Sequence, residues 1–186
     1  MHFKNTDIPR VFYSDMSAKP IEHCSFCAKN LLEDKVFYSI EKLIKNHRVD
    51  FEYAICFDCS SQLKSEMSEE SSRNIEKYMQ NCGFVTKSQA IMYSDDTFEV
   101  DDFLRACMIK ETSVDELTEY QMIGVFEGNQ ISEQAFPLII GAEAIEEMNA
   151  LLSAKTRGEM DKYLDELTGL PPEFVELFKE KKLLLI

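Results

Sequence analysis

The chain has 186 residues, of which 45% are hydrophobic and 29% charged, and its formal net charge at pH 7 is -14. That is room for one larger domain or two small ones, with enough apolar bulk for a core. The longest apolar run, AFPLIIGA from Ala135 to Ala142, falls far short of the ~20 residues a membrane helix needs and reads as a buried strand. The negative charge is uneven: residues 81–147 hold Lys87, Arg105 and Lys110 against fourteen acidic residues. Such a stretch repels a phosphate backbone and reads either as a solvated face or as a docking surface for a basic partner. The opening MHFKNTDIPR shows no apolar signal region, which leads us to expect a cytoplasmic protein.

The first informative stretch is HCSFCAKN, His23 to Asn30, and its counterpart is YAICFDCSSQL further on. Cys24 and Cys27 form one C-x2-C pair and Cys56 and Cys59 a second, together four of six cysteines. In an oxidising compartment these would form disulfides; in a reducing one thiols persist. Two such pairs supply four soft ligands for a tetrahedral structural zinc, with redox or iron–sulfur chemistry as the rival use. Four thiolates close the shell, leaving no position for water or substrate. His23 and His47 are expected outside it, exposed or supporting a ligand. Lone Cys82 and Cys107 read as small core residues.

Between the pairs, KVFYSI and DFEYAI read as two β-strands, with EKLIKNHR as a long hairpin loop or a helical turn. SSQLKSEMSEESSRNIEKYMQ follows the second pair with Leu63, Met67, Ile75, Tyr78 and Met79 at helical spacing. Ser60 or Ser61 is the expected N-cap and Gly83 the C-cap. Knuckle, hairpin and a helix whose first turn carries the last ligands describe a treble-clef zinc finger. On CSFCAKN, the aromatic hairpin and YAICFDCSSQL, residues 22–80 resemble the N-terminal zinc domain of the ClpX unfoldase family. The resemblance implies Cys24, Cys27, Cys56 and Cys59 as zinc ligands, and a module that pairs with itself and docks adaptors and substrates. Here the spacer is longer, Ala28 replaces the usual Gly, and no G-x-x-x-x-G-K-[ST] occurs, so the ATPase engine is missing.

Beyond residue 82, YSDDTFEVDDFLRACMIKE suggests a helix entered near Asp101, with Phe103, Leu104, Cys107 and Met108 facing inward. Tyr120 to Phe126 reads as a strand turning at Gly128-Asn129, and Pro137 would confine any partner over Ile131 to Ile140 to a sheet edge. A long amphipathic helix is expected from Ala142 to Leu167, with Ile145, Met148, Leu152, Met160, Tyr163, Leu164 and Leu167 on its apolar side. Gly158 is its weak point. Gly169 and Pro172 read as a stop and a restart, and the apolar LLLI tail as folding back on the core.

The expected class is therefore α+β: a zinc-binding treble-clef module with an N-terminal arm over residues 1–82, then an acidic α+β domain over 83–186. No catalytic constellation emerges. The G-x-S-x-G elbow is absent, none of the three His falls in the helix after the second pair, and Asp95, Asp96, Asp101 and Asp102 lack a calcium loop's spacing. The functional expectation is a non-enzymatic adaptor or regulator that binds proteins, a second copy of itself among them, and no membrane. The alternative is a nucleic-acid-associated regulator, with Lys29, Lys35, Lys42, Lys45 and Arg48 meeting the backbone, or an acidic nucleic-acid mimic.

Overall fold

The computed structural model describes residues 1–166 together with 172, 175 and 176. Its centre is a mixed-origin antiparallel sheet. After β1 (His2–Phe3) come β2 (Phe37–Lys45) and β3 (Arg48–Cys56), paired as a hairpin. The expected long loop is instead a two-residue turn, Asn46-His47. Both residues have positive φ, 49° and 61°, the handedness that matches the twist of paired strands. Asparagine tolerates that conformation well; His47 bears the steric cost.

The second element set was expected as one helix and is two. α1 (Phe57–Ser65) is capped by Cys56, not by Ser60 or Ser61, and α2 (Glu69–Asn81) is capped by Ser68, whose hydroxyl accepts the Ser71 N–H. Gly83, with φ 74°, follows the Cys82 cap in the left-handed conformation expected of it. It also starts α3 (Phe84–Met92), which the sequence reading missed. The helix expected near Asp101 does not form: after β4 (Thr97–Phe98), residues Val100–Asp102 make one 3-10 turn. Asp102 turns its carboxylate back on the Glu99 N–H there.

β5 (Glu119–Glu127) turns at Gly128-Asn129 as expected and begins a return in β6 (Gln130–Ile131). That return is interrupted and resumes as β7 (Leu138–Gly141), immediately after Pro137. Pro137 thus sits where the sheet edge is broken, a place that needs no ladder N–H. β7 runs into α4 (Ala142–Ala150), and α5 (Ala154–Glu166) follows. The long helix expected here is broken at Leu151–Ser153, while Gly158 lies inside α5. Ile145, Met148 and Leu152 are buried and Met160 half-buried. Pro172, Val175 and Glu176 are helical and Val175 packs on the core; the side chains of Tyr163 and Leu164, together with Leu167, Gly169 and the LLLI tail, lie outside the described residues.

The sheet order is β3-β2-β5-β6, with β7 also on β5. β2 is therefore central, and it pairs with β5 along its whole length, Phe37 opposite Glu127 to Lys45 opposite Glu119. Strands from both sides of residue 82 thus share one sheet and one continuous apolar core. On one face Phe12, from the N-terminal arm, packs edge-on to Phe126 (ring centres 5.2 Å apart) and presses on Gly124. A Cβ at position 124 would stand 2.7 Å from the Phe12 ring, which explains a glycine in mid-strand. On the other face Glu41 is 1% exposed. It accepts hydrogen bonds from Tyr53 Oη, from Gln121 Nε2 (2.5 Å) and from Ser39 Oγ (3.3 Å).

Helix starts α2 and α5 are joined by four hydroxyls. Ser68, Ser71, Ser153 and Thr156 place their side-chain oxygens 2.8–3.3 Å apart in all six pairings. Each oxygen also accepts one backbone N–H, from Ser71, Ser153, Thr156 and Ser68 respectively. The orphan donors of two helix ends are satisfied reciprocally.

Candidate metal centre

The knuckle that carries the first cysteine pair is a tight reversal. The Cys24 N–H donates to the Lys29 carbonyl (2.9 Å), the Ala28 N–H donates to the Cys24 carbonyl (2.9 Å), and His23 and Asn30 bridge across its base. Ala28 adopts φ 58°, the left-handed turn that explains why a glycine suits this position. The knuckle is tied to the end of β3: Ser25 N–H donates to the Ala54 carbonyl (2.8 Å), and Ala54 N–H to Ser25 Oγ (3.2 Å). β3 ends on Cys56, which caps α1, and Cys59 lies in that helix's first turn.

This brings the four sulfurs together. Cys24, Cys27, Cys56 and Cys59 place their Sγ atoms within 4.8 Å of one another, and Cys27 Sγ lies 3.7 Å from Cys56 Sγ. A tetrahedral zinc–thiolate shell with bonds of about 2.3 Å has sulfurs about 3.8 Å apart, so the donor set fits such an ion. A disulfide, at about 2.05 Å, does not describe the pair, and all six cysteines are free. Among the described residues these four are the group of three or more cysteine, histidine or acidic side chains arranged to hold a metal. His23 and His47 are outside it and exposed.

The electrostatics point the same way. Burial pushes the Cys24 and Cys59 thiols up, and the charge of Cys24 raises Cys59 further. Burial also acts against Cys27, yet hydrogen bonds led by the Lys29 backbone N–H bring it below its ordinary value. Four thiolates this close repel one another in a partly buried site, and only a shared cation holds all of them ionised. The Cys56 N–H donates to Cys24 Sγ (3.4 Å), an amide–sulfur bond that favours the charged ligand.

The basic cluster expected on the hairpin is largely neutralised. Lys42 has a side chain 4% exposed, held 3.0 Å from Glu52 and donating to the Tyr13 carbonyl. Lys29 pairs with Asp58, and Lys45 lies 3.9 Å from Glu119. Open clefts flank the Ser14–Lys19 turn, one of about 580 Å³ beside Arg10, Asp15 and Lys42, the other of about 420 Å³ beside Lys19, His23 and Glu52. Two of the four acidic residues singled out earlier have local partners: Asp96 accepts from Ser94 Oγ (2.5 Å), and Asp102 from Arg105 (3.2 Å). Cys107 is buried and its sulfur accepts the N–H groups of Lys110 and Gly141 (3.4 and 3.3 Å); Cys82 is half-buried.

Among the described residues no helix is long and apolar enough to cross a membrane. No family model, no curated protein and no solved structure matches the chain. The four-cysteine cluster stands on its own geometry. The order knuckle, hairpin, helix is treble-clef-like, and the arrangement suits a structural, non-catalytic metal.

Proposed function

We propose that this chain is a non-enzymatic zinc-binding adaptor or regulatory protein, in which a structural zinc on Cys24, Cys27, Cys56 and Cys59 fixes a protein-docking module. The observation that carries the reading is the convergence of four sulfurs within 4.8 Å. A complete thiolate shell offers a substrate no vacant coordination position. What the ion supplies is folding free energy. The resemblance of residues 22–80 to the ClpX-type zinc domain supports docking, including self-pairing, as the use of that module. The acidic stretch 81–147 is the surface for a second, basic partner, and the cytoplasm is its place of work.

Elemental analysis of the purified, untagged chain tests the metal: one zinc per chain is expected. Sedimentation of the zinc-loaded chain tests self-pairing, and affinity capture with the zinc-loaded chain and a Cys59→Ser variant tests docking. A chain without stoichiometric metal, or capture identical with and without it, would refute the proposal.

A further inference from the structure

The four sulfurs are not equivalent. Cys24, Cys56 and Cys59 are 3%, 1% and 8% exposed, whereas Cys27 is exposed. Cys27 sits on the outer turn of the knuckle, followed by the exposed residues Ala28 and Lys29. Its sulfur lies 3.7 Å from Cys56 Sγ, within a cluster whose four sulfurs are all within 4.8 Å of one another. An attacking oxidant thus meets a single accessible sulfur, with a second sulfur behind it already within about 2 Å of disulfide bonding distance. A metal-bound thiol is deprotonated and remains a nucleophile.

We infer that Cys27 is an oxidation site through which peroxides release the structural metal, with Cys56 as the resolving cysteine. The inference rests on the zinc reading above. The Cys27 sulfur attacks a peroxide oxygen and the O–O bond breaks. One oxygen stays on sulfur as a sulfenic acid, and the other leaves as hydroxide or, for an alkyl peroxide, as the alkoxide, each taking a proton from water. The Cys56 thiolate then attacks the sulfenic sulfur, the S–O bond breaks, and hydroxide leaves as the disulfide forms. Two sulfurs have lost two electrons in total and the peroxide has gained them. The disulfide withdraws half of the donor set, and Cys24 and Cys59 no longer retain the ion.

Because Cys56 ends β3 and caps α1, the chemistry acts where strand, helix and knuckle meet. Oxidation ties Cys27 to Cys56 but releases Cys24 and Cys59 from the shared ion, so that the first turn of α1 loses its metal anchor and the docking module of the preceding section is switched off while the reductant-reversible disulfide persists.

The test uses the full chain after its zinc content has been measured. Hydrogen peroxide is added in the presence of a chromophoric zinc chelator, with dimedone in a parallel sample, and the products are mapped by peptide mass spectrometry. The expected result is a dimedone adduct on Cys27, release of the whole zinc complement, a Cys27–Cys56 linkage without dimedone, and recovery of metal binding on reduction. Cys82→Ser should behave as the parent. Cys27→His, which keeps a tetrahedral three-cysteine, one-histidine set, should retain zinc under the same dose. A chain that holds zinc but keeps it while Cys82 or another thiol is oxidised overturns this inference alone. Undiminished release from the zinc-loaded Cys27→His variant does the same. A chain without zinc overturns the metal reading and this one together.

Discussion

Replacing Glu41 by glutamine should change how stability depends on pH. Glu41 is fully enclosed between β3 and β5, and burial raises its carboxyl from the ordinary 4.5 to about 7, against the hydrogen bonds from Tyr53, Ser39 and Gln121 and the charge of Lys64. Between those two pH values the folded chain binds a proton that the unfolded chain has lost, so stability falls as pH rises. The contribution is fully present below about 4.5 and lost as pH passes about 7. At about 1.4 kcal/mol per pH unit, the integrated effect is about 3 kcal/mol. A glutamine can reuse the site: its oxygen accepts from Tyr53 and Gln121 where Oε2 now does, and its NH2 donates to Ser39 Oγ. Urea denaturation of the zinc-loaded parent and Glu41→Gln from pH 5.5 to 8 should give a stability difference that moves toward the variant as pH rises. Taking the difference cancels the groups both proteins share, the metal ligands included. A difference independent of pH across that range would refute the assignment of a neutral, buried Glu41.

Three further substitutions read other parts of the structure. Cys56→Ser should abolish stoichiometric zinc, and amide exchange should accelerate in the knuckle and α1 and also along β2 and β5, because those strands are paired over nine residues; acceleration confined to residues 22–80 would favour two independent modules. Ser71→Ala removes the hydroxyl that accepts the Ser153 N–H (2.9 Å), leaves buried partners unsatisfied, and should cost about 1–3 kcal/mol in a urea titration. His47→Gly creates an Asn-Gly turn where φ is 61° and should stabilise the chain by about 0.5–1 kcal/mol, seen as a higher melting temperature.

The parts of this fold that the sequence disclosed are those fixed by local chemistry. Two C-x2-C pairs announce a soft-metal site because few other uses require four sulfurs at that spacing. Gly128-Asn129 and Gly83 mark turns because few residues tolerate positive φ. What stayed hidden depended on contacts distant in sequence. The apolar spacing of Leu63, Met67 and Ile75 runs through the break at Ser68, so periodicity alone merges α1 with α2. The cue that would have separated them is Ser68 followed by Glu69, Glu70 and Ser71, an N-cap with an acidic first turn. α3 has a glycine where a capping side chain would stand. Its start could not be read from capping chemistry. Asn46-His47 lacks the glycine of a familiar hairpin signal, and its tightness is imposed by strand pairing.

The least legible feature was the place of β2. Lys42 and Glu41 are charged neighbours, a pattern that suggests a solvated strand or a basic patch, yet both are buried on opposite faces of the sheet. Each is compensated by residues from other strands or the arm: Glu52 and Tyr13 for Lys42, Tyr53 and Gln121 for Glu41. Buried ionisable groups of this kind, charged or neutral, are costly unless their polar atoms are matched, and the matching partners come from β3, β5 and residue 13. The polar pairs therefore specify which strands flank β2 and in which register, while the cysteines fix only where β3 ends. A metal that anchors Cys56 consequently aligns β3 on β2, and through β2 aligns β5. An ion held by the four sulfurs near the start of the chain would thereby stabilise strands contributed by its second half.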